Sequence, residues 1–107
     1  MSQREKVHQH IQEHQSDHLE RVRAFMAQPS VSQENTGVEE CADLLLKYYQ
    51  DLGCVEAEVV ETPGLPAVWA YYDAGAPKTL AVYSYFDTNI VGSGWDHPPY
   101  DAVVTKR

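Results

Sequence analysis

The spacing of apolar residues predicts a helix at the start of the chain. Within residues 3–27 the apolar stripe at helical spacing consists of Val7, Ile11, Leu19, Val22, Phe25 and Met26, with His18 between Ile11 and Phe25. Ser2 and Glu5 suit a capping box that opens this helix, and Pro29 ends it. The apolar stripe is thin in the first half and richer in the second, so we expect the second half to pack more firmly.

A second helix is predicted over residues 38–52. Thr36 and Glu39 suit a capping box at its start, and Gly53 suits the left-handed conformation that ends many helices. The apolar positions at helical spacing are Cys41, Leu44, Leu45, Tyr48 and Leu52. We expect these five side chains to form a firm buried face.

Beyond Gly53 the pattern is typical of strands. The predicted strands are residues 55–61, 67–72, 79–86 and 102–105. Segments that contain Pro and Gly separate the first three of them and favour turns. The elements together predict an α/β fold, in which two helices pack on a mixed β-sheet of at least three strands.

Composition adds bounds on the class of protein. The chain has 107 residues, of which 43% are hydrophobic, so it fits one folded domain or less. Its net charge is −8 and its eight Lys and Arg residues are scattered, which argues against nucleic acid or an anionic membrane as a partner. The sequence has neither an apolar run of membrane-spanning length nor a signal-peptide core, so we expect a cytoplasmic location.

The two cysteines do not form a recognisable redox or metal motif. Cys41 lies on the apolar face of the second predicted helix, where it is expected to pack as a small hydrophobe. Cys54 follows Gly53, and the spacing of the two cysteines leaves a disulfide between them open.

Residues 79–99 are the most informative stretch for function. They predict a buried strand that ends at Asp87, followed by a Gly-rich loop that carries Trp95. A carboxylate at the exit of a buried strand is a frequent location for catalytic or metal-organising chemistry. The alternative is a structural Asp that starts a turn. Neither Ser84 nor Ser93 has the surroundings of a serine nucleophile.

Four segments, taken in order, resemble a known family. They are Pro29-Ser30-Val31-Ser32, the helix 38–52 ending at Gly53, the turn Thr62-Pro63-Gly64 between two strands, and residues 79–99. From Phe25 onward the chain is similar to the amino-terminal part of the metallohydrolase family of aminoacylases, carnosinases, acetylornithine deacetylases and glutamate carboxypeptidases. That family's fourth segment usually reads Gly-His-x-Asp, then a loop with Trp and Pro-Phe. Here it reads Ser84-Tyr85-Phe86-Asp87, then Trp95 and Pro98-Pro99-Tyr100.

The resemblance assigns a role to Asp87 and raises a question at Tyr85. In the family the corresponding Asp hydrogen-bonds the His that is the first metal ligand, and thereby orients that ligand. Tyr85 stands in the place of the His, and a phenol must lose a proton of pKa ~10 before it binds zinc as readily. Tyr85 therefore argues against a standard two-zinc centre, and Asp87 is the predicted catalytic residue.

The resemblance also implies a reaction and its requirements. A metal-bound water would hydrolyse an amide or peptide bond next to a carboxylate, with a Glu as general base. Zinc or another divalent metal is implied for the complete protein, and a small peptide or N-acyl amino acid is the implied substrate. The family's remaining ligands and its lid domain follow later in sequence than residue 107. We therefore expect residues 1–107 to be the amino-terminal part of a catalytic domain that is inactive and binds no metal alone.

Two alternatives belong to other functional classes. The chain could be a truncated or divergent family member that acts at most as an interaction subunit through unpaired sheet edges, and a homo-oligomer is left open. A metal-binding helix is suggested by His10, His14 and His18, although we favour a solvated or packing face for this stripe. His97 could contact substrate near Asp87, but we favour a loop residue without function.

Overall fold

A computed structural model describes residues 1–106 and shows a mixed α and β protein. The elements in chain order are α1 (Gln3–Glu13), α2 (Gln15–Ala27), a 3-10 helix (Ser32–Glu34), α3 (Val38–Leu52), β1 (Glu56–Val60) and β2 (Ala67–Tyr71). The described residues divide into two compact units. Residues 1–27 and those from 95 onward form the first unit, and residues 28–94 form the second.

The helix predicted over residues 3–27 is interrupted at His14. The predicted capping box is confirmed, because the Glu5 amide donates to Ser2 Oγ and the Ser2 amide donates to Glu5 Oε2. His14 leaves helical geometry, with φ −111° and ψ 13°, and its Nδ1 donates to the carbonyl oxygen of His10 at 2.9 Å. The His14 amide also donates to the His10 carbonyl oxygen, at 3.1 Å, so the backbone bonding continues through the break. Within residues 3–27 no side chain of α1 or α2 is buried.

The helix α3 spans the predicted residues, but its start differs from the prediction. The capping box of Thr36 and Glu39 is wrong, because Gly37 caps the helix with φ 71° and no side-chain cap bond. Thr36 instead pairs with Val31, through bonds of 2.9 and 3.1 Å between their backbones. Gly53 ends the helix in the left-handed conformation, as predicted.

The core lies at the start of α3. Val31, Val38, Cys41 and Ala42 are the buried hydrophobic residues among those described. The predicted buried face is therefore only partly right. Cys41 is buried and Leu44, Leu45 and Tyr48 are half-buried, but Leu52 is exposed. A sheet of two strands covers less of the helix than the three strands that were predicted.

The sheet pairs β1 with β2 in antiparallel register, from Glu56 opposite Tyr71 to Val60 opposite Ala67. The strands predicted over 55–61 and 67–72 are thus confirmed to within one residue at each end. One residue in two is half-buried along both strands, which is the pattern of a sheet covered on one face by a helix.

The prediction of a mixed sheet with a third strand is wrong for the described residues. Residues 79–86 and 102–105 have no strand assignment. Among residues 1–106 no backbone hydrogen bond joins 79–87 to another segment. The predicted buried strand is instead highly exposed, with 86% of Leu80 and 84% of Tyr83 accessible to solvent. Apolar composition favours a strand, but a strand forms only where a neighbour offers its backbone.

Candidate functional site

Asp87 contacts the loop that precedes α3. Its Oδ2 accepts a hydrogen bond from Ser32 Oγ at 2.8 Å, across 55 positions of sequence. Asp87 is exposed and Ser32 is half-buried, so the pair forms at the surface. A carboxylate held in this way keeps its second oxygen available to accept a proton or orient a ligand. We refer to this pair and its neighbours Ser30, Val31 and Thr88 as the Ser32–Asp87 site.

Backbone contacts fix the position of Asp87. The amide of the next residue, Thr88, donates to the carbonyl oxygen of Ser30 at 2.8 Å, and Val31 and Thr88 form a parallel bridge. The Thr88 hydroxyl also donates to the Ser30 carbonyl oxygen at 3.4 Å. Three interactions therefore hold residues 87 and 88 against residues 30–32.

The loop that carries Ser32 is itself constrained. Val31 and Thr36 exchange two backbone hydrogen bonds around the 3-10 turn Ser32–Glu34. Asn35 completes the turn in the left-handed conformation with φ 49°, which Asn tolerates better than most residues. The backbone on both sides of Ser32 is held by hydrogen bonds. The Ser32 hydroxyl therefore reaches Asp87 from a fixed position.

Ser30 of this site lies beside Cys41 of α3. Ser30 and Cys41 are both almost fully buried, and the Ser30 hydroxyl is the buried side-chain oxygen among residues 1–106 that lacks a hydrogen-bond partner. Burial raises the pKa of the Cys41 thiol, and the nearby Ser30 hydroxyl opposes part of that rise without reaching full hydrogen-bond geometry. Both cysteines are free, so the disulfide left open by the sequence is not formed.

Tyr85, which stands in the place of the family's His ligand, contacts its neighbour Tyr83. Its ring packs edge to face on Tyr83, with centroids 5.4 Å apart, and 75% of the residue is exposed. No group of three or more His, Cys, Asp or Glu residues within 1–106 is arranged to hold a metal ion. The described residues therefore do not by themselves form the centre that the resemblance implies, and the catalytic role of Asp87 remains a prediction.

The histidines lie in the first unit, apart from the unit that contains Asp87. The rings of His10, His14 and His18 form a cluster with centroids 4.2 to 6.3 Å apart. His97 is exposed on the loop after Trp95. The roles considered for these residues therefore remain predictions.

An acidic groove was missed by the sequence analysis. It has a volume of about 410 Å³ and lies between α3 and the turn after β1. Its lining residues are Glu39, Asp43, Val59, Glu61, Thr62, Gly64 and Pro66. Three carboxylates make the groove electronegative. The signal that could have found it is the pair of acidic residues four positions apart on α3, together with Glu61, which follows β1.

The comparisons with known proteins add no relative. No family model matches the chain, and neither do the curated proteins or the solved structures. Every helix in the described part of the chain is too short or too polar to cross a lipid bilayer. The functional interpretation therefore depends on the four segments of the resemblance and on the contacts between them.

Proposed function

We propose that the chain from Phe25 onward is the amino-terminal part of the catalytic domain of a metal-dependent amidohydrolase or peptidase, similar to the aminoacylase and carnosinase family. The observation that carries the proposal is the hydrogen bond from Ser32 to Asp87. It joins the first and the fourth segment of the resemblance. A chance likeness of two short segments gives no reason for them to meet in space.

Asp87 is the residue through which the described part acts. Ser32 holds one carboxylate oxygen, and the Ser30–Thr88 contacts hold the backbone. Asp87 is thereby fixed to orient a neighbouring group, as carboxylates do for metal ligands. Zinc or another divalent metal would supply an activated water in the complete protein, and its ligands would come from residues outside this chain. The proposed substrate is a small peptide or an N-acyl amino acid.

The test starts from the protein as the cell makes it. Its intact mass tells whether the chain continues beyond Arg107. The purified protein is then assayed against dipeptides and N-acetyl amino acids with zinc, cobalt or manganese. We expect hydrolysis, and we expect Asp87→Asn to reduce kcat/KM by about tenfold or more, as is typical when the partner of a metal ligand is lost.

Two variants of Ser32 distinguish the positioning of Asp87 by Ser32 from the role of Asp87 itself in the reaction. Ser32→Ala should reduce the rate less than Asp87→Asn, and Ser32→Thr, which keeps a hydroxyl, should restore it. Asp96→Asn is the matched control, because it removes a charge from an exposed loop position outside the Ser32–Asp87 site. Full activity of Asp87→Asn, or a natural protein that hydrolyses none of these substrates, would overturn the proposal.

A second candidate function is a non-catalytic interaction subunit. The observation that favours it is the exposed apolar segment before Asp87, where Leu80, Val82, Tyr83 and Tyr85 are each at least three-quarters accessible to solvent. Soluble proteins rarely leave such a run uncovered unless something binds it.

A further inference from the structure

We propose that residues 79–86 pair with the same residues of a second copy of this chain, as two antiparallel strands. We call residues 79–86 the pairing segment. This inference concerns association and goes beyond the proposed function; both involve Asp87, and association and hydrolysis are measured separately.

The pairing segment offers both its backbone and its side chains. It has no strand assignment and is unpaired, since no backbone hydrogen bond among residues 1–106 joins 79–87 to another segment. Free amide and carbonyl groups of this kind are satisfied by a further strand. The exposed fractions are 86% for Leu80, 83% for Val82, 84% for Tyr83 and 75% for Tyr85.

The charge distribution favours a second copy as the partner. Two copies of net charge −8 repel each other wherever charged surfaces meet. The strand β1 carries Glu56 and Glu58, and the groove beside α3 is lined by three carboxylates. The pairing segment has no charged residue, no Pro and no Gly. Two copies can therefore approach through it without bringing like charges together, and its composition is typical of self-pairing strands.

The flanking residues select the antiparallel orientation. Lys78 precedes the pairing segment and Asp87 follows it, and both are exposed. When two copies pair antiparallel about the centre of the segment, Lys78 of each lies opposite Asp87 of the other. Parallel pairing in register would place Lys78 opposite Lys78. Opposite charges across a strand pair are favourable and like charges are unfavourable.

The same register gives suitable side-chain neighbours. It places Leu80 opposite Tyr85 and Val82 opposite Tyr83, so each tyrosine ring faces an aliphatic side chain across the strands. Asp87 uses Oδ2 to accept from Ser32, which leaves Oδ1 to accept from the ammonium group of the second copy. The contact to Ser32 also limits the freedom of the Asp87 side chain before association.

The test reverses the charge at Lys78 or at Asp87 and measures association by sedimentation equilibrium. Wild-type chain should form a dimer. Lys78→Asp places Asp opposite Asp, and Asp87→Lys places Lys opposite Lys, each at two positions of the dimer. Either variant alone should dimerise about tenfold more weakly or worse. Mixed one to one, they restore both opposite-charge pairs, and the mixed dimer should form with wild-type affinity.

The control is Lys47→Asp, which makes the same charge change at an exposed position of α3 and should leave the dimer unchanged. Val82→Asp should abolish association while far-UV circular dichroism stays the same, because Val82 lies outside the core. A monomeric wild type, single variants that dimerise normally, or a mixture that stays monomeric would overturn the proposal. So would growth into thioflavin-positive fibrils in place of a dimer.

The outcome is separable from that of the proposed function. Sedimentation equilibrium measures association, and the assay with dipeptides and N-acetyl amino acids measures catalysis. A monomeric chain would overturn only the pairing, and a natural protein that hydrolyses none of the substrates would overturn only the hydrolase.

Discussion

At the scale of single residues, the Cys41 thiol makes stability depend on pH. Burial raises the pKa of Cys41 above its ordinary value of 9.0. The unfolded chain therefore loses the thiol proton at lower pH than the folded chain. The contribution to the free energy of unfolding is fully present below about pH 9.0 and decreases as pH rises through the folded pKa. Urea unfolding between pH 7 and pH 11 measures it.

The Cys41 contribution is isolated by comparing variants. Cys41→Ala should lose stability at all pH values but show a smaller decrease above pH 9 than the wild type. Cys54→Ala keeps the buried thiol and should keep the full decrease. Equal pH dependence of the wild type and Cys41→Ala would show that the raised pKa of Cys41 has no effect on folding.

Two serines in the same loop should respond in opposite ways to the same substitution. Ser30→Ala removes a buried hydroxyl that has no hydrogen-bond partner within residues 1–106, so stability should stay equal or increase by up to ~1 kcal/mol. Ser32→Ala removes the donor to Asp87 and should cost about 0.5–1.5 kcal/mol. Chemical denaturation of both variants checks the difference. A larger loss for Ser30→Ala than for Ser32→Ala would contradict it.

The residues of the site differ in how far the sequence could predict them. The burial of Cys41 follows from helical spacing, which is a local property. The pairing of Ser32 with Asp87 joins positions 55 apart, and no periodicity links them. The resemblance includes Ser32 in its first segment and Asp87 in its fourth. Their hydrogen bond nevertheless depends on tertiary structure, which the resemblance does not describe.

At the scale of elements, the start of α3 depends on Gly37. A Cβ at this position would collide with the carbonyl oxygen of Pro29, and the backbone there has φ +71°. Gly37→Ala should therefore destabilise the chain by about 2–4 kcal/mol, since strain and a close contact add. Gly53→Ala is the matched control, with φ +90° and open space around the Cβ. It should cost only the left-handed strain of ~1 kcal/mol. Similar losses of stability for the two variants in thermal unfolding would contradict the collision.

Elements were predicted well where local sequence determines them. The helix Val38–Leu52 and the two strands that follow it have strong periodicity and clear ends. The prediction of a third strand was wrong, because an apolar composition shows only that a segment is able to pair. It does not show that a partner strand is present. The predicted capping box of α3 was wrong because Thr36 pairs with Val31 within the preceding loop, and this pairing overrides the capping preference.

At the scale of the whole molecule, few residues are fully buried. The buried hydrophobic residues among those described are Val31, Val38, Cys41 and Ala42, around the start of α3. Large apolar side chains such as Leu80 and Trp69 remain more than half exposed. Burial this limited predicts a modest free energy of unfolding for the described residues.

The net charge of the whole molecule provides a further test of the pairing segment. In Asp87→Lys, the change in net charge and the loss of the local charge pairs should affect association in opposite directions. Reversing one charge changes the net charge by two, so Asp87→Lys changes it from −8 to −6 and Lys78→Asp changes it to −10. If long-range repulsion controlled association, Asp87→Lys would dimerise more tightly than the wild type. If the local strand pairs control it, Asp87→Lys should dimerise more weakly at all ionic strengths.

Salt separates the two effects, because screening over ~10 Å at 0.1 M removes distant repulsion before it removes contacts between opposite residues. We therefore expect the wild-type dimer to tighten as salt is raised from low concentration, and Asp87→Lys to remain weaker than the wild type throughout. Tighter association of Asp87→Lys would show that the copies associate without the proposed register.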